Sequence, residues 1–230
     1  MPNTDLSHIE GLVFDLDGTL IDSTIDFLLM RRRTFERMAQ AGVPEPVLDR
    51  TKSIATNLNA SFRYLAENGS DEDSRTLCHD AGTIMSEIEM LKVSQTRAVP
   101  GASGAIDRLV SEGYSVAVLT RGSRRYTEAA LSASGLAKYF VNTICRDDHP
   151  DDEAKPNPIS MARAAEKLAM PKEKCLLVGD HAMDLECALS AGTEFVGVLS
   201  GAMDRTAWTM LGAVTIIPDV SYLPDLLVKR

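Results

Sequence analysis

Two pairs of aspartates stand close together in the sequence, each directly after a short apolar run. One residue separates Asp15 from Asp17, and Asp184 follows Asp180 by four positions. Neighbouring carboxylates repel each other unless a cation or a shared proton lies between them. Carboxylate oxygens are also ligands that suit Mg²⁺, a hard divalent ion. Each pair alone is explained equally well by a turn or a helix cap, but together they favour one shared metal site.

A hydroxyl and a lysine lie between the two acidic pairs along the chain. Thr120 ends another apolar run and precedes Gly-Ser at an expected helix start, where backbone N–H groups and the hydroxyl can bind an oxyanion. Lys155 stands just before Pro156 and Pro158, which restrict its backbone. In isolation, a strand-end threonine and a solvated lysine are the ordinary interpretations of these residues.

The elements that must position these side chains alternate between two kinds. Short, continuous apolar runs predict strands buried on both faces, as in a parallel sheet, at 11–15, 115–120, 175–180, 194–199 and 213–217, with a weaker one at 140–145. Helical stretches between them are expected at 102–112, 123–134, 158–168, 183–191 and 202–211. This alternation predicts an α/β fold with a doubly wound, Rossmann-like parallel sheet.

Residues 23–98 break this alternation and contain no convincing strand. Apolar residues recur there at spacings of three and four, which predicts three amphipathic helices and a small bundle. We therefore expect a core formed by residues 1–22 and 99–230, with a helical domain inserted after the first strand. Such an insert would lie over the carboxyl edge of the sheet, where open α/β sheets bind ligands.

Taken jointly, these motifs resemble those of the haloacid dehalogenase superfamily of phosphohydrolases. The resemblance covers about residues 9–200 and includes D-x-D-G-T-L-x-D-S at 15–23, Pro-Gly at 100–101, Thr120, Lys-Pro at 155–156 and G-D-x-x-x-D at 179–184. The insert is similar to the C1-type helical cap of phosphoglycolate phosphatase-like members. A Mg²⁺-dependent phosphomonoesterase acting on a small phosphorylated metabolite is the function that the resemblance implies.

The resemblance also implies catalytic roles for particular residues. Asp15 would attack phosphorus and form an aspartyl-phosphate, while Asp17 would protonate the leaving alcohol and then activate water. Thr120 and Lys155 would hold the phosphoryl oxygens. A general acid assists the release of an alkoxide but not of a halide, so Asp17 favours phosphate ester hydrolysis over dehalogenation.

For the metal, the resemblance implies a Mg²⁺ ion held by Asp15, the backbone carbonyl of Asp17, and Asp180. Asp184 would support the ion directly or through water. His181 lies inside this second motif, but an imidazole is a poorer ligand than oxygen for Mg²⁺, so we do not expect it to bind the metal.

The candidates for substrate contact outside these motifs are arginines. Arg121 follows Thr120 where many relatives have asparagine, and it is a candidate for binding substrate. Arg32 lies four residues after Leu28 and three before Phe35, which places it within an apolar stripe that is expected to face inward. An inward arginine needs a partner, which could be an internal carboxylate, the packing of the helical domain, or substrate. Arg63 is a weaker candidate.

Three alternatives to the phosphatase remain open. A phosphomutase would share the covalent step, and a phosphonate hydrolase would need an amine from the inserted domain, for which Lys52 is the plausible residue. A catalytically silent binding module belongs to a different class, and the intact set of motifs speaks against it. The products released from a panel of phosphate esters distinguish these alternatives.

Composition limits the partners and the compartment. The 230 residues contain 24 basic and 33 acidic side chains, so the net charge is −9 and generic binding of nucleic acid or an anionic membrane is not expected. No apolar run approaches the roughly 20 residues that span a bilayer, and we expect no secretory signal. The four cysteines lack metal-binding spacing, which favours reduced thiols in a cytoplasmic protein. We expect a monomer or a homodimer.

Overall fold

The computed structural model describes residues 5–227, and these residues divide into two units. The larger unit contains residues 5–24 and 93–227, and the helical unit contains Ile25–Lys92. This division falls near the ends of the insert that the sequence predicts at 23–98. The role of the helical unit as a cap stays a prediction.

Within residues 5–227, the larger unit has eight strands. They are β1 (Gly11–Phe14), β2 (Ile21–Asp22), β3 (Arg97–Ala98), β4 (Ser115–Leu119), β5 (Asn142–Ile144), β6 (Cys175–Gly179), β7 (Glu194–Val198) and β8 (Ile216–Ile217). Six of them form a parallel sheet in the order β5-β4-β1-β6-β7-β8. The short strands β2 and β3 pair antiparallel where the chain leaves and re-enters this unit. The predicted α/β class with a parallel sheet is confirmed.

Nine α-helices lie in the described part of the chain. They are α1 (Phe27–Gln40), α2 (Ile54–Asn68), α3 (Asp71–Met90), α4 (Ala102–Ser111), α5 (Arg124–Ala133), α6 (Pro158–Lys167), α7 (Ala182–Ala191), α8 (Arg205–Met210) and α9 (Leu223–Leu226). The first three belong to the helical unit. Among residues 5–227, none of the helices combines the length and the apolar character that crossing a membrane requires.

The core of the larger unit explains why its strands are so apolar. Every residue of β1 and β6 is buried, because both faces of the parallel sheet are covered. One face packs against α6, α7 and α8, with Met161, Leu185 and Trp208 in the buried cluster. The Trp208 indole N–H donates to the carbonyl of Val198 at 3.0 Å, so this large side chain is buried without losing its hydrogen bond. This packing holds the carboxyl ends of the strands in fixed positions.

Two predicted elements near the C-terminal end are shorter than expected. The strand predicted at 213–217 is reduced to Ile216–Ile217, and the helix predicted from residue 202 begins only at Arg205. Asp204 caps α8 by accepting a hydrogen bond from the Ala207 N–H at 2.8 Å. Residues 200–202 form a loop instead, and this loop bonds to the carboxylate of Asp180, which follows β6.

The helical unit has its own apolar core, formed between α1, α2 and α3. Buried side chains from all three helices meet there, including Phe35, Leu58 and Leu77. Ser70 starts α3 with a capping box, in which its hydroxyl accepts from the Asp73 N–H and the Asp73 carboxylate accepts from the Ser70 N–H. The predicted stripes at spacings of three and four therefore do form one small three-helix cluster.

Candidate active site

Three strand ends bring the predicted side chains to one edge of the sheet. Asp15 directly follows β1, Thr120 follows β4, and Asp180 follows β6, and these three strands are neighbours in the sheet. Phe14 is in register with both Val118 and Val178, the penultimate residues of the two flanking strands. Asp15 is therefore level with Leu119 and Gly179, and Thr120 and Asp180 each lie one position further along the chain. Parallel strands place such residues at the same edge, where open α/β sheets bind ligands.

Lys155 reaches this edge from the loop that precedes α6. Its Nζ donates to an oxygen of Asp15 and to Oδ1 of Asp184, the second contact measuring 2.6 Å. The side chain is only 1% exposed. The ordinary interpretation of a solvated surface lysine therefore does not apply here, and Lys155 links two of the predicted acidic residues.

Asp15, Asp180 and Asp184 form an acidic cluster at the sheet edge. One carboxylate oxygen from each lies within 4.8 Å of those of the other two, and all three residues are buried. When all three carboxyl groups are ionised, the single ammonium of Lys155 balances only one of the three negative charges. Buried charges are costly unless they are paired, and an all-oxygen donor set is the one that Mg²⁺ prefers. The residues present therefore fit a divalent magnesium ion.

Neighbouring groups orient the two carboxylates of the second motif. Asp180 Oδ2 accepts from the Ala202 N–H at 2.7 Å, and its Oδ1 accepts a longer bond, 3.4 Å, from the Thr19 hydroxyl. Asp184 Oδ2 accepts from the His181 N–H at 3.1 Å. The His181 ring nitrogen Nδ1 accepts from the Met183 N–H at 3.2 Å, which caps α7. The sequence contained no signal for the Ala202 contact.

Close approach at the same place explains why the first motif contains a glycine at position 18. Gly18 has φ of +81°, and a Cβ there would lie 2.5 Å from Oδ2 of Asp180. A side chain at this position would collide with the metal-ligand candidate and would also strain the backbone. The glycine of the first motif therefore lets the loop pass directly against the second motif.

Burial dominates the protonation of the cluster. It raises the pKa of Asp15 well above its usual range, and repulsion from Asp184 and Asp180 adds to this, while the Lys155 ammonium opposes it. Burial likewise raises the pKa of Asp180. Burial by itself would lower the pKa of Lys155, but attraction to Asp15 and Asp184 raises it above the ordinary value, so the ammonium stays charged. A cluster with such groups gains from a bound cation.

Asp17 and Thr120 have protein partners of their own. Oδ1 of Asp17 accepts from the Tyr126 hydroxyl at 2.5 Å. The Thr120 hydroxyl accepts from the Gly122 N–H at 2.9 Å at the start of the loop into α5. Thus the carboxylate of Asp17 lies outside the three-residue acidic cluster, and the predicted metal contact through its backbone carbonyl stays a prediction.

Comparison with known proteins agrees with this geometry. A family model described as haloacid dehalogenase-like hydrolase matches residues 12–198, which is most of the chain. The chain belongs to the haloacid dehalogenase-like hydrolase family. The family predicted from the sequence motifs is thereby confirmed.

Individual relatives narrow the enzyme class. A phosphoglycolate phosphatase from Neisseria meningitidis is 28% identical over 206 residues, covering 89% of this chain and 86% of that protein. One from Cereibacter sphaeroides is 30% identical over 186 residues, covering 80% and 83%. The crystal structure of a hydrolase from Pseudomonas syringae has a TM-score of 0.68 and 26% identity, covering 94% of this chain and 97% of that one. These similarities confirm the predicted class of phosphatase.

In this haloacid dehalogenase-like hydrolase, Arg121 contacts the loop that carries Lys155. Its guanidinium donates to the carboxylate of Asp151 at 2.8 Å and to the backbone carbonyl of Lys155 at 2.9 Å. Burial lowers the pKa of Arg121, and the Asp151 charge opposes that shift. The sequence places Arg121 among the substrate-binding candidates, whereas the structure supplies two protein partners for its guanidinium. Arg121 therefore holds the loop that carries Lys155 through two hydrogen bonds.

The expectation that Arg32 faces inward is wrong. Its side chain is 67% exposed and lies 3.9 Å from Glu36 on the surface of α1. The buried positions of this helix include Met30, Phe35 and Met38, so the inward face is rotated away from residue 32. Leu28, on which the predicted stripe depended, is itself 82% exposed. The argument for a substrate contact by Arg32 loses its structural basis.

The weaker candidates in the helical unit are also on its surface. Arg63 and Lys52 are both exposed. The predicted alternative of a phosphonate hydrolase needs an amine from the inserted helical unit, and the side chain of Lys52 is exposed on the surface of that unit. No observation in the described residues therefore favours that alternative.

Proposed function

We propose that this phosphatase is a Mg²⁺-dependent phosphomonoesterase that hydrolyses a small phosphorylated metabolite through an aspartyl-phosphate on Asp15. The observation that carries the proposal is the convergence of Asp15, Asp180 and Asp184 around Lys155 at the carboxyl edge of the sheet. A buried cluster of this kind retains net negative charge and suits a divalent cation together with an anionic phosphoryl group.

The reaction has two steps that use the same two carboxylates. In the first step, an oxygen of Asp15 attacks phosphorus, the bond from phosphorus to the ester oxygen breaks, and Asp17 gives its proton to the departing alkoxide. In the second step, Asp17 takes a proton from water, which attacks phosphorus and releases inorganic phosphate and free Asp15. Covalent catalysis divides one difficult displacement into two easier ones.

Charge neutralisation is the main requirement for the first step, since an anionic nucleophile approaches an anionic ester. The Lys155 ammonium contacts Asp15, and its role in this proposal is to meet the phosphoryl oxygens as well. Thr120 follows the neighbouring strand β4 at the same sheet edge, where its hydroxyl can donate to a phosphoryl oxygen. When bound by Asp15, Asp180 and Asp184, Mg²⁺ supplies further positive charge at these oxygens.

The substrate that we propose is phosphoglycolate or a similarly small monoester. The support comes from relatives that are named phosphoglycolate phosphatases and that this chain matches over more than four fifths of their length. Identity of 28% leaves room for a different alcohol group, because specificity resides in side chains outside the shared motifs.

A panel of phosphate monoesters tests the proposal directly. We expect release of inorganic phosphate that requires Mg²⁺, is abolished by EDTA, and is lost in Asp15→Asn. Asp225→Asn is the matched control, because Asp225 is an exposed aspartate that pairs with Arg108. Acid-quenched enzyme should carry a phosphoryl group on the peptide that contains Asp15. An isomerised sugar phosphate in place of free phosphate would indicate a mutase, and no turnover by folded, Mg²⁺-supplemented protein would favour a silent binding module.

A further inference from the structure

We propose that Tyr126 is a positioning residue that holds the Asp17 carboxyl group for proton transfer to the leaving alcohol. This inference rests on the proposed function, and it assigns a task to a residue that no sequence motif indicated. Tyr126 acts through Asp17 and does not touch the substrate.

The contact is short and partly buried. The Tyr126 hydroxyl donates to Oδ1 of Asp17 at 2.5 Å, although the two residues are 109 positions apart in the chain. Tyr126 is fully buried, and Asp17 is half-buried. Hydrogen bonds from a hydroxyl to a charged oxygen are among the short and strong ones in proteins. Because the phenol ring is fixed by packing, it can fix the orientation of the carboxylate.

The first turn of α5 is built to deliver this ring. Ser123 caps the helix, and its hydroxyl accepts from the Tyr126 N–H at 3.3 Å. A Cβ on Gly122 would lie 2.9 Å from Cδ1 of the Tyr126 ring and 3.4 Å from the Thr120 hydroxyl. The glycine after Thr120 and Arg121 therefore leaves the space through which the ring passes toward Asp17. The same turn thus serves both Thr120 and Asp17.

The hydrogen bond distinguishes the two oxygens of Asp17. With Oδ1 accepting from the phenol, the proton that is transferred to the alkoxide is carried on Oδ2. The phenol keeps its own proton throughout, so Tyr126 adds no proton transfer to the reaction. Without Tyr126, the carboxyl group loses a hydrogen bond that orients it, and a smaller fraction of the molecules presents the acidic proton toward the ester oxygen.

Leaving-group dependence is the readout that separates positioning from a general structural role. An alkyl phosphate such as phosphoglycolate needs a general acid to release its alkoxide, whereas 4-nitrophenyl phosphate releases a stable anion without one. The quantity to compare is kcat/KM, since it covers the steps up to departure of the alcohol and excludes the later hydrolysis of the phosphoenzyme. If phosphoglycolate is not hydrolysed, the best alkyl ester of the panel replaces it.

For Tyr126→Phe, we expect kcat/KM to fall on the order of 10-fold to 100-fold with the alkyl ester. With 4-nitrophenyl phosphate we expect a change of less than about twofold, since that reaction does not depend on the acid. Activity on the nitrophenyl ester also shows that the variant has folded with an intact nucleophile. Asp17→Asn should produce the same selectivity with a larger loss.

Two further variants complete the test. Tyr114→Phe is the matched control, because the Tyr114 hydroxyl is also buried and donates to the Leu227 carbonyl at 3.0 Å, but its partner is not a carboxylate of the site. It should leave the ratio of the two kcat/KM values unchanged. In the Asp17→Asn background, Tyr126→Phe should add no further selective loss, because Tyr126 acts only through Asp17.

The inference is overturned if Tyr126→Phe lowers both substrates equally, or leaves both unchanged. It is also overturned if Tyr126→Phe adds a selective loss on top of Asp17→Asn. A wild-type enzyme that hydrolyses no ester would overturn the proposed function itself and this inference with it. Wild-type activity without the selectivity would overturn only the role of Tyr126.

Discussion

Replacing Lys155 with methionine should reveal how much of the site's electrostatic balance depends on one side chain. The Lys155 ammonium contacts Asp15 and Asp184, and its side chain is 1% exposed. Methionine keeps most of the length and apolar volume of lysine while it removes the charge. Three buried carboxylates would then remain with no cation among the residues that contact them here.

The expected loss follows from that burial. Removing one partner of a buried ion pair typically costs about 3–5 kcal/mol, because the other partner stays buried without compensation. Two carboxylates lose their common partner here, so we expect a loss toward the upper end of that range. Domains of this size are stable by only about 5–15 kcal/mol, which makes the change a large fraction of the total.

Urea unfolding in EDTA and in Mg²⁺ measures this effect. Without metal, Lys155→Met should lower the free energy of unfolding by several kcal/mol. Adding Mg²⁺ should then raise the free energy of unfolding more in the variant than in the wild type. Lys174→Met is the matched control, since Lys174 pairs with Glu10 at 2.7 Å but is 45% exposed. Such an exposed pair contributes only about 0–1 kcal/mol.

Equal losses for the two lysine variants in EDTA would refute this reasoning. They would mean that the acidic cluster is already neutralised without Lys155, by protons taken up on Asp15 and its neighbours. Phosphate release should also fall on the order of 10³-fold in Lys155→Met, because the phosphoryl oxygens lose a cation at the reacting centre.

Three further predictions concern other parts of the larger unit and the thiols. Arg121→Met should lower kcat about tenfold, because the backbone carbonyl of Lys155 loses a donor and the lysine moves from its place; steady-state kinetics checks this. For Asp148, burial alone would raise the pKa, but hydrogen bonds from Arg124 and a backbone N–H lower it below 3.8. The Arg124–Asp148 pair should therefore contribute its full stabilisation, up to about 1 kcal/mol, above about pH 4, and this stabilisation should disappear as the pH falls further. The unfolding free energies of the wild type and Arg124→Met should therefore converge at low pH. Cys78 is the exposed thiol, and burial raises the pKa of the other three cysteines. A thiol reagent near pH 7 should therefore label the native wild-type protein once, and it should hardly label the Cys78→Ser variant.

The control for the Arg121 prediction is another arginine, in α6, that bonds to the same loop. Arg163 pairs with the Glu153 carboxylate, but its hydrogen bonds do not include the Lys155 carbonyl. Arg163→Met should therefore keep kcat within about twofold of the wild type. A rise in KM for Arg121→Met with unchanged kcat would instead indicate that Arg121 contacts substrate directly.

The positions of the strand-end residues were predictable because they depend on local pattern. Continuous apolar runs specify strands buried on both faces, and a parallel sheet brings their carboxyl ends to one edge. That Asp15, Thr120 and Asp180 lie at neighbouring strand ends follows from such rules. The order of the strands, which makes β1 the neighbour of both β4 and β6, depends on the complete topology.

Helix orientation was predictable only in part. The spacing of apolar residues correctly indicated three amphipathic helices in the insert, but the inward face of α1 passes through Met30 and Met38 rather than through Arg32. A stripe of apolar residues defines a helix face only to within about one residue, and the packing partners decide which neighbouring position is buried. Arg32 lies at the margin where that choice matters.

By itself, the amino-acid sequence determined which chemical groups are available and at which strand ends they appear, since both follow from residue type and local periodicity. Only the tertiary structure decided that Lys155 is buried between two carboxylates, that Arg121 bonds to the Lys155 carbonyl, and that Tyr126 meets Asp17. Each of these contacts joins residues at least 29 positions apart. No local pattern encodes them, because they depend on how the loops and the first turn of α5 pack over the sheet edge.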